Sequence, residues 1–596
     1  MTPTDSAIGA DTAAAGAGAA GADPARAGRR SAAWFGATGK LGFVHRSKMH
    51  AEGLSDAAFD GRPVIGIANS WSELTPCNFH LRELAQAVRR GILMAGGLPL
   101  EFPVMSMGET LMRPTTMLYR NMLAMETEET LRSNPLDAVV LLTGCDKTTP
   151  GMLMGAASVD LPTILLSGGP MLNGKFRGRD IGSGTHVWKL SEEVRAGHLS
   201  ECAFRAAEPG IARSRGHCMT MGTASTMACL TEILGMQLPG SAALPAPDTR
   251  RETIAELAGR RIVAMADSGP RPSDLLTRKA FENAVRANAA LGGSTNAVLH
   301  LLALAGRVGV DLTIDDIDTL PRDVPTLIDL LPIGRFLMEE FAYAGGVPAL
   351  VRVMGGLLHD DVPTVTGRTL GQESADAECF DEEVIRPLAS PVQPAGSGIA
   401  VLRGNLAPGG AIIKQAAASP ALRRHAGRAL VFDTYEEYQQ VVESPDLPCD
   451  RTTVLIVRGA GPVGYPGMPE IGNLAVPARV LREGDDDIVR ISDGRMSGTA
   501  YGTVVLHVTP ESATGGPLAL VRTGDEVTLD VAGRSLSMAV PEDELTRRRG
   551  EWTAPERASE RGWARLYVDH VLQADRGVDL DFLAGGSGHA VPRPSF

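Results

Sequence analysis

The chain has 596 residues, too many for one ordinary core, so two or more domains are expected. Hydrophobic residues make up 44% and charged residues 21%, the balance of a soluble globular protein rather than a disordered or fibrous one. Fifty-seven Lys and Arg against 70 Asp and Glu leave a formal charge of −13, which offers no attraction to nucleic acid or to an anionic membrane surface.

The first 30 residues are rich in Ala and Gly and carry no sustained apolar run. Arg29 and Arg30 follow the small residues instead of preceding them. Residues 1–32 are therefore expected to be a disordered tail, not a signal peptide. No stretch reaches the roughly 18 to 20 apolar residues that span a bilayer. The seven cysteines are Cys77, Cys145, Cys202, Cys218, Cys229, Cys379 and Cys449. An odd, widely spaced set does not read as a disulfide framework, and a reducing cytoplasm is expected.

From residue 33 to about 388 the pattern predicts a parallel-sheet α/β domain. Val64–Ala68 reads as a strand, followed by a polar loop to Cys77. His80–Met94 has helical spacing, Leu98–Val104 is extended, and Met117–Arg132 is helical. Ala138–Leu142 and Thr163–Leu166 are apolar runs of strand length. Strands alternating with helices imply a parallel sheet covered on both faces, with ligands beyond the carboxyl ends of its strands. A second helical region spans about 250 to 357, broken at Leu291–Asn296. The composition turns to Asp, Glu, Pro and Gly around 375–400, which places a boundary near 388. Residues 389–596 are richer in short strands, among them Thr453–Val457, Ile488–Ile491, Thr503–Val508 and Glu526–Val531, and predict a smaller, barrel-like β domain.

The residues that could carry chemistry lie in loops. Gly144-Cys145-Asp146-Lys147 sets a thiol, a carboxylate and an amine side by side after a strand. Thiolates suit soft or borderline metals and carboxylates suit hard ones such as Mg²⁺, so one loop could face two metals. The alternative is a buried free thiol beside a surface ion pair. Cys77 and Cys218 also sit in loops, and parallel-sheet loops gather at one edge. Their spacing fits neither a zinc ribbon nor a ferredoxin run. Cys202 and Cys229 lie in helix-like apolar surroundings and read as core thiols. Glu109 and Glu470 could complete an oxygen shell with Asp146, or be ordinary solvated carboxylates. Ser497, flanked by Met496 and Gly498, is a turn serine without the Gly-x-Ser-x-Gly elbow of a hydrolase. Gly459–Gly464 fits G-x-G-x-x-G, but Pro462, Pro466 and Pro469 argue against the helix a dinucleotide site requires.

Several longer segments occur together: Asp60–Ile67, Trp71–Asn78, Gly108–Pro114, Gly144–Pro150, Gly168–Gly174, Gly467–Gly472 and Ser492–Gly498. In this order they resemble the dihydroxy-acid dehydratase and 6-phosphogluconate dehydratase superfamily, from about residue 40 to the C-terminus. The Glu109-Thr110-Leu111-Met112-Arg113 run is similar to the sugar-acid branch, the arabinonate and xylonate dehydratases. The resemblance implies an N-terminal α/β domain with a C-terminal β-barrel-like domain, in homodimers or homotetramers. It implies that Cys77, Cys145 and Cys218 hold an iron–sulfur cluster, 2Fe–2S in preference to 4Fe–4S. Glu109, Asp146 and Glu470 match positions near Mg²⁺, and Lys147 matches a lysine that becomes carbamylated. Ser497 matches the base, acting as an alkoxide, and Thr499 a neighbour that positions it. The activity implied is removal of water from an aldonic acid to give a 2-keto-3-deoxy acid. The rival readings are a dihydroxy-acid dehydratase of branched-chain amino acid synthesis and a non-catalytic iron–sulfur redox sensor.

Overall fold

A computed structural model describes residues 28–472, 474–556 and 559–595. Residues 1–27 of the expected tail lie outside them. From Arg29 onward that segment is tied down, not free. Arg29 pairs with Asp267 at 2.6 Å, and the buried Ser31 bonds Asp137 through its amide (2.9 Å) and its hydroxyl (2.7 Å).

The first half is built on four parallel strands: β1 (Val64–Asn69), β2 (Leu98–Pro103), β3 (Ala138–Thr143) and β4 (Thr163–Ser167). Their order is β2-β1-β3-β4, with Val64 opposite Leu98, Ile65 opposite Ala138 and Val139 opposite Thr163. Every residue of β1, β3 and β4 is buried, which is why these strands are continuous apolar runs without alternation. The helix Leu81–Met94 buries Leu81, Leu84, Ala85, Val88 and Ile92, one face at helical spacing, and packs with the helix Arg250–Ser268. A small hairpin, β5 (Gly174–Phe176) and β6 (Arg179–Ile181), follows the sheet. The predicted break near 291–296 separates the helices Arg278–Ala290 and Asn296–Arg307.

The second half is a closed eight-stranded barrel. Its strands are β7 (Ile399–Gly404), β8 (Ala407–Lys414), β9 (Arg424–Phe432), β10 (Val454–Val457), β11 (Val489–Ile491), β12 (Val504–Thr509), β13 (Glu526–Asp530) and β14 (Ser535–Met538). The barrel closes in the order β10-β11-β12-β8-β7-β14-β13-β9. Alternate residues face its interior, among them Ala400, Leu402, Ala411, Ile413 and Val505. The intervening residues Val401, Ile412, Val504 and Leu506 join the core of the α/β half, so the barrel packs directly on it.

The C-terminal segment returns to the α/β half as well. Arg307 is fully buried and holds Asp579 through two bonds, at 2.7 and 3.0 Å, with Glu128 at 3.3 Å. Removing one partner of a buried ion pair strands the other charge. Arg307→Met is expected to destabilise the protein by about 3–5 kcal/mol. Urea unfolding checks this, and a loss under 1 kcal/mol would put the pair in the class of surface ion pairs.

Two expectations from sequence are corrected. Cys202 is exposed, on the short helix Glu201–Arg205, none of whose residues is buried. Its apolar neighbours Ala203 and Phe204 pointed to a core that five residues at the surface do not form. Cys229 is buried as expected. The barrel also contains more helix than anticipated, Tyr435–Val441 and Ala478–Arg482 lying between its parallel strands. Parallel pairs need crossovers, and these helices supply them.

Gly459–Gly464 opens no helix. The amides of Val463 and Gly464 donate to the Glu511 carboxylate at 2.9 and 2.8 Å, so they are not offered to a pyrophosphate. Among the described residues no helix is long and apolar enough to cross a membrane.

Candidate active site

The carboxyl ends of the parallel strands form the floor of the site. Cys77 follows β1 in the turn Pro76–Asn78, Glu109 follows β2, and Cys145, Asp146 and Lys147 follow β3. The segment 216–218 joins the same edge. His217 N–H donates to the Gly169 carbonyl at 3.0 Å and the Met171 N–H to the His217 carbonyl at 2.8 Å, which brings Cys218 beside the end of β4.

Asn78 fixes the Cys77 and Cys145 loops against each other. Its Oδ1 accepts the Cys145 N–H at 3.1 Å, while Nδ2 donates to the Ser70 carbonyl (2.9 Å) and the Ser106 hydroxyl (3.1 Å). Gly144 makes this approach feasible, because a Cβ there would lie 2.3 Å from Asn78 Oδ1. The Cys77 and Cys145 thiols come within hydrogen-bonding reach of each other, and Cys218 is near enough to act on both electrostatically. A hydrogen bond to Cys145, then burial, raises the Cys77 thiol well above its usual range. Burial, then Asp146, pushes Cys218 up to about 12. Cys77 and Cys218, which resist ionisation, become thiolates only when a cation compensates them, which is the donor chemistry of a metal–sulfur centre.

Beside them lies a carboxylate cluster. Lys147 Nζ, fully buried, stands 3.0 Å from Glu470, 3.4 Å from Glu109 and 3.4 Å from Asp146. Burial opposes the Lys147 charge, but Glu109 and Glu470 outweigh it and hold the ammonium above its usual range. Burial likewise opposes the Glu109 charge. Lys147 and Arg495 outweigh it and hold Glu109 down at about 2. Thr115 and Thr116 donate their hydroxyls to Glu109, Thr115 at 2.7 Å. The Lys147 ammonium occupies the centre of the three carboxylates. The donor set suits a hard cation only if that positive charge is removed or displaced.

The barrel half supplies the roof. Arg495, fully buried in the loop after β11, donates to Glu470 (2.8 Å), Asn296 Oδ1 (3.1 Å), Thr115 Oγ1 (3.0 Å) and the Met468 carbonyl (2.6 Å). Asn296 Nδ2 donates to Glu470 at 2.9 Å and to the Met496 carbonyl at 3.2 Å. Asn296 thus joins the carboxylate cluster to the loop carrying Ser497. Ser497 Oγ lies 2.9 Å from Thr499 Oγ1 and accepts the Thr499 N–H at 3.3 Å.

All nine residues singled out from sequence therefore meet in two adjoining groups and one loop. Arg495 stood inside a recognised segment and Asn296 at the end of the predicted helix break, neither with an assigned role. The signal for Asn296 was the polar run Gly292–Asn296 inside an apolar helical region, and nothing in the sequence linked it to Glu470.

The model of the dihydroxy-acid/6-phosphogluconate dehydratase N-terminal region matches residues 62–373, and that of the C-terminal region matches residues 383–578. The chain belongs to this family. It is accordingly a dehydratase, a hydro-lyase. L-arabonate dehydratase of Azospirillum brasilense is 56% identical over 575 residues, covering 95% of this chain and 98% of that one. L-arabinonate dehydratase of Rhizobium leguminosarum bv. trifolii is 53% identical over 568 residues, with the same coverage of 95% and 98%. 6-Deoxy-6-sulfo-D-gluconate dehydratase of Pseudomonas putida is 49% identical over 567 residues, again with 95% and 98% covered.

The site is packed around neutral imidazoles. Burial lowers His80 to about 4 and His217 and His507 to about 3, and takes His300 well below its usual value. Each depressed histidine contributes stability that is present above pH 6.5 and is lost as pH falls toward its folded value. Glu232 and Glu511, raised by burial to about 7, act in the opposite sense, their contribution being lost as pH rises from 4.5 to 7. Among the most strongly displaced of these groups, four oppose two, each worth about 1.4 kcal/mol per pH unit. The urea midpoint is therefore expected to drop between pH 6.5 and 5, and an unchanged or rising midpoint would refute the neutral-histidine assignment.

Proposed function

We propose that this protein removes water from an aldonic acid to give a 2-keto-3-deoxy sugar acid. The observation that carries the reading is the junction at Asn296, which joins the Ser497 loop to the carboxylate cluster beside the three thiols. The sugar acids named for the three relatives above favour this substrate class over dihydroxy acids of amino acid synthesis.

In this reading Cys77, Cys145 and Cys218 hold an iron–sulfur cluster, of the 2Fe–2S type. Glu109, Asp146 and Glu470 hold Mg²⁺, with Lys147 carbamylated so that its ammonium becomes an anionic oxygen ligand. When bound, the two metal groups supply Lewis acidity toward the substrate carboxylate and the departing 3-hydroxyl. Three thiols would leave one coordination position of the cluster unfilled by protein, and the cluster would supply its Lewis acidity there. Ser497 Oγ, as an alkoxide, takes the C2 proton. Its hydroxyl is a weak base, so Thr499 must stabilise the anion through its O–H and N–H. Arg495 and Asn296 keep Glu470 in place beneath that loop. Loss of the C2 proton and the 3-hydroxyl gives an enol, which tautomerises to the 2-keto acid.

Residues 33–388 and 389–596 are proposed as the two domains, in a cytoplasmic homodimer or homotetramer. The test is turnover of a panel of aldonic acids and dihydroxyisovalerate by protein purified without oxygen and supplied with Mg²⁺. Turnover of at least one aldonic acid supports the reading. Turnover of dihydroxyisovalerate alone moves the protein to amino acid synthesis. No turnover with the chromophore intact favours the redox-sensor reading.

A further inference from the structure

The helix Thr185–Arg195 lies in the first half of the sequence, yet it is fastened to the second half along its length. Thr185 Oγ1 donates to the Thr499 carbonyl at 2.8 Å. Glu192 accepts the Tyr501 hydroxyl, and Arg195 donates to the Val476 carbonyl at 2.8 Å. Gly184, at φ +73°, lets the helix start close against Thr499, where a Cβ would lie 2.2 Å from Thr499 Oγ1. Between these anchors, the Trp188 indole N–H donates to Thr499 Oγ1 at 3.3 Å.

The proton accounting at Thr499 has a direction. An indole N–H only donates, so Thr499 Oγ1 is the acceptor in that bond. Thr499 Oγ1 and Ser497 Oγ are 2.9 Å apart, and either could donate to the other. Were Ser497 the donor, Thr499 would accept twice. Its own proton, on a residue 5% exposed, would then have no other acceptor among the described residues. With Thr499 as donor, the proton left over is that of Ser497, which is only half-buried and can turn it to the open side of the site, and which as an alkoxide has no proton to donate. We infer that Trp188 is a positioning residue, which turns the Thr499 hydroxyl proton onto Ser497 Oγ. The chain indole N–H to Thr499 O–H to Ser497 Oγ then aims two donors, the Thr499 O–H and N–H, at the oxygen that must carry negative charge. Donors in series polarise one another, so the terminal bond strengthens as charge develops. The inference deepens the assignment of Ser497 as the base and rests on it.

The experiment is a double-mutant cycle on the metal-loaded enzyme, with turnover expressed per bound cluster. Trp188→Phe keeps the ring packing and removes the donor. It is expected to lower kcat about five- to tenfold, the scale of one neutral hydrogen bond, while KM stays within about twofold. In a Thr499→Val background the same change is expected to have no further effect, because the path through Thr499 is already cut. A merely structural role for Trp188 would lower activity equally in both backgrounds. Unchanged kcat in Trp188→Phe, a rise in KM alone, or multiplicative effects of the two substitutions would each overturn the inference. Ser497→Ala separates the two levels. Turnover by that variant removes the base itself. An inactive Ser497→Ala beside a fully active Trp188→Phe removes only the role of Trp188.

Discussion

Ser497→Ala is expected to lower turnover by about 10²–10⁴-fold, the range contributed by a positioned general base. The visible absorption of the iron–sulfur cluster should be unchanged, because Ser497 lies in a different loop from Cys77, Cys145 and Cys218. The fold should tolerate the change too. Among the described residues Ser497 Oγ bonds only within its own loop, to Thr499, so the expected loss of stability is about 1 kcal/mol. Absorbance, urea midpoint and turnover measured on one preparation separate these effects. Retained turnover would require another base, and the role of Thr499 would lapse with that of Ser497.

Lys147 carries the second large effect, and two substitutions divide its possible roles. Lys147→Met removes the only ammonium facing Glu109, Asp146 and Glu470 among the described residues, leaving Arg495 alone to offset them. Uncompensated buried charge costs about 3–5 kcal/mol, so metal-free Lys147→Met should be destabilised on that scale. Lys147→Arg keeps a positive charge but offers no amine for carbamylation. It is expected to recover part of the stability and to lose turnover by at least about 100-fold, the scale on which ligand positioning acts. Urea unfolding of the metal-free proteins and turnover of the loaded ones provide the comparison. An active Lys147→Arg would mean that Lys147 acts as a cation, not as a carbamate ligand.

Much of this site was legible because of how parallel sheets are built. Apolar runs at β1, β3 and β4 end abruptly in polar loops, and ligands gather at such ends. That placed Cys77, Glu109 and the Cys145–Lys147 loop on one edge before any contact was known. The ordered motifs then tied Cys218, Glu470 and Ser497 to the same edge, which spacing alone did not. The connecting residues were hidden for a physical reason. Arg495 and Asn296 act through bonds across the two halves of the chain, and no local pattern distinguishes a bridging arginine from a solvated one. Trp188 had no signal at all, since its indole acts on a residue that lies more than 300 positions further along the chain. In the barrel, β10 to β13 were read from their β-branched runs. β8 begins Ala407-Pro408-Gly409-Gly410 and β9 begins Arg424-His425-Ala426-Gly427, compositions that suggest loops. Barrel closure and burial of one face overrode those propensities.

The central claim is dehydration of a sugar acid through loss of its C2 proton. It is tested most directly by NMR of the product formed from a five-carbon aldonate in D₂O, with enzyme purified without oxygen and loaded with Mg²⁺. The account predicts a 2-keto-3-deoxy acid carrying one solvent deuteron at C3, because the enol takes its new proton from water. A product that keeps the original C2 hydrogen by internal transfer, or no product from any aldonate while the cluster is intact, would contradict it.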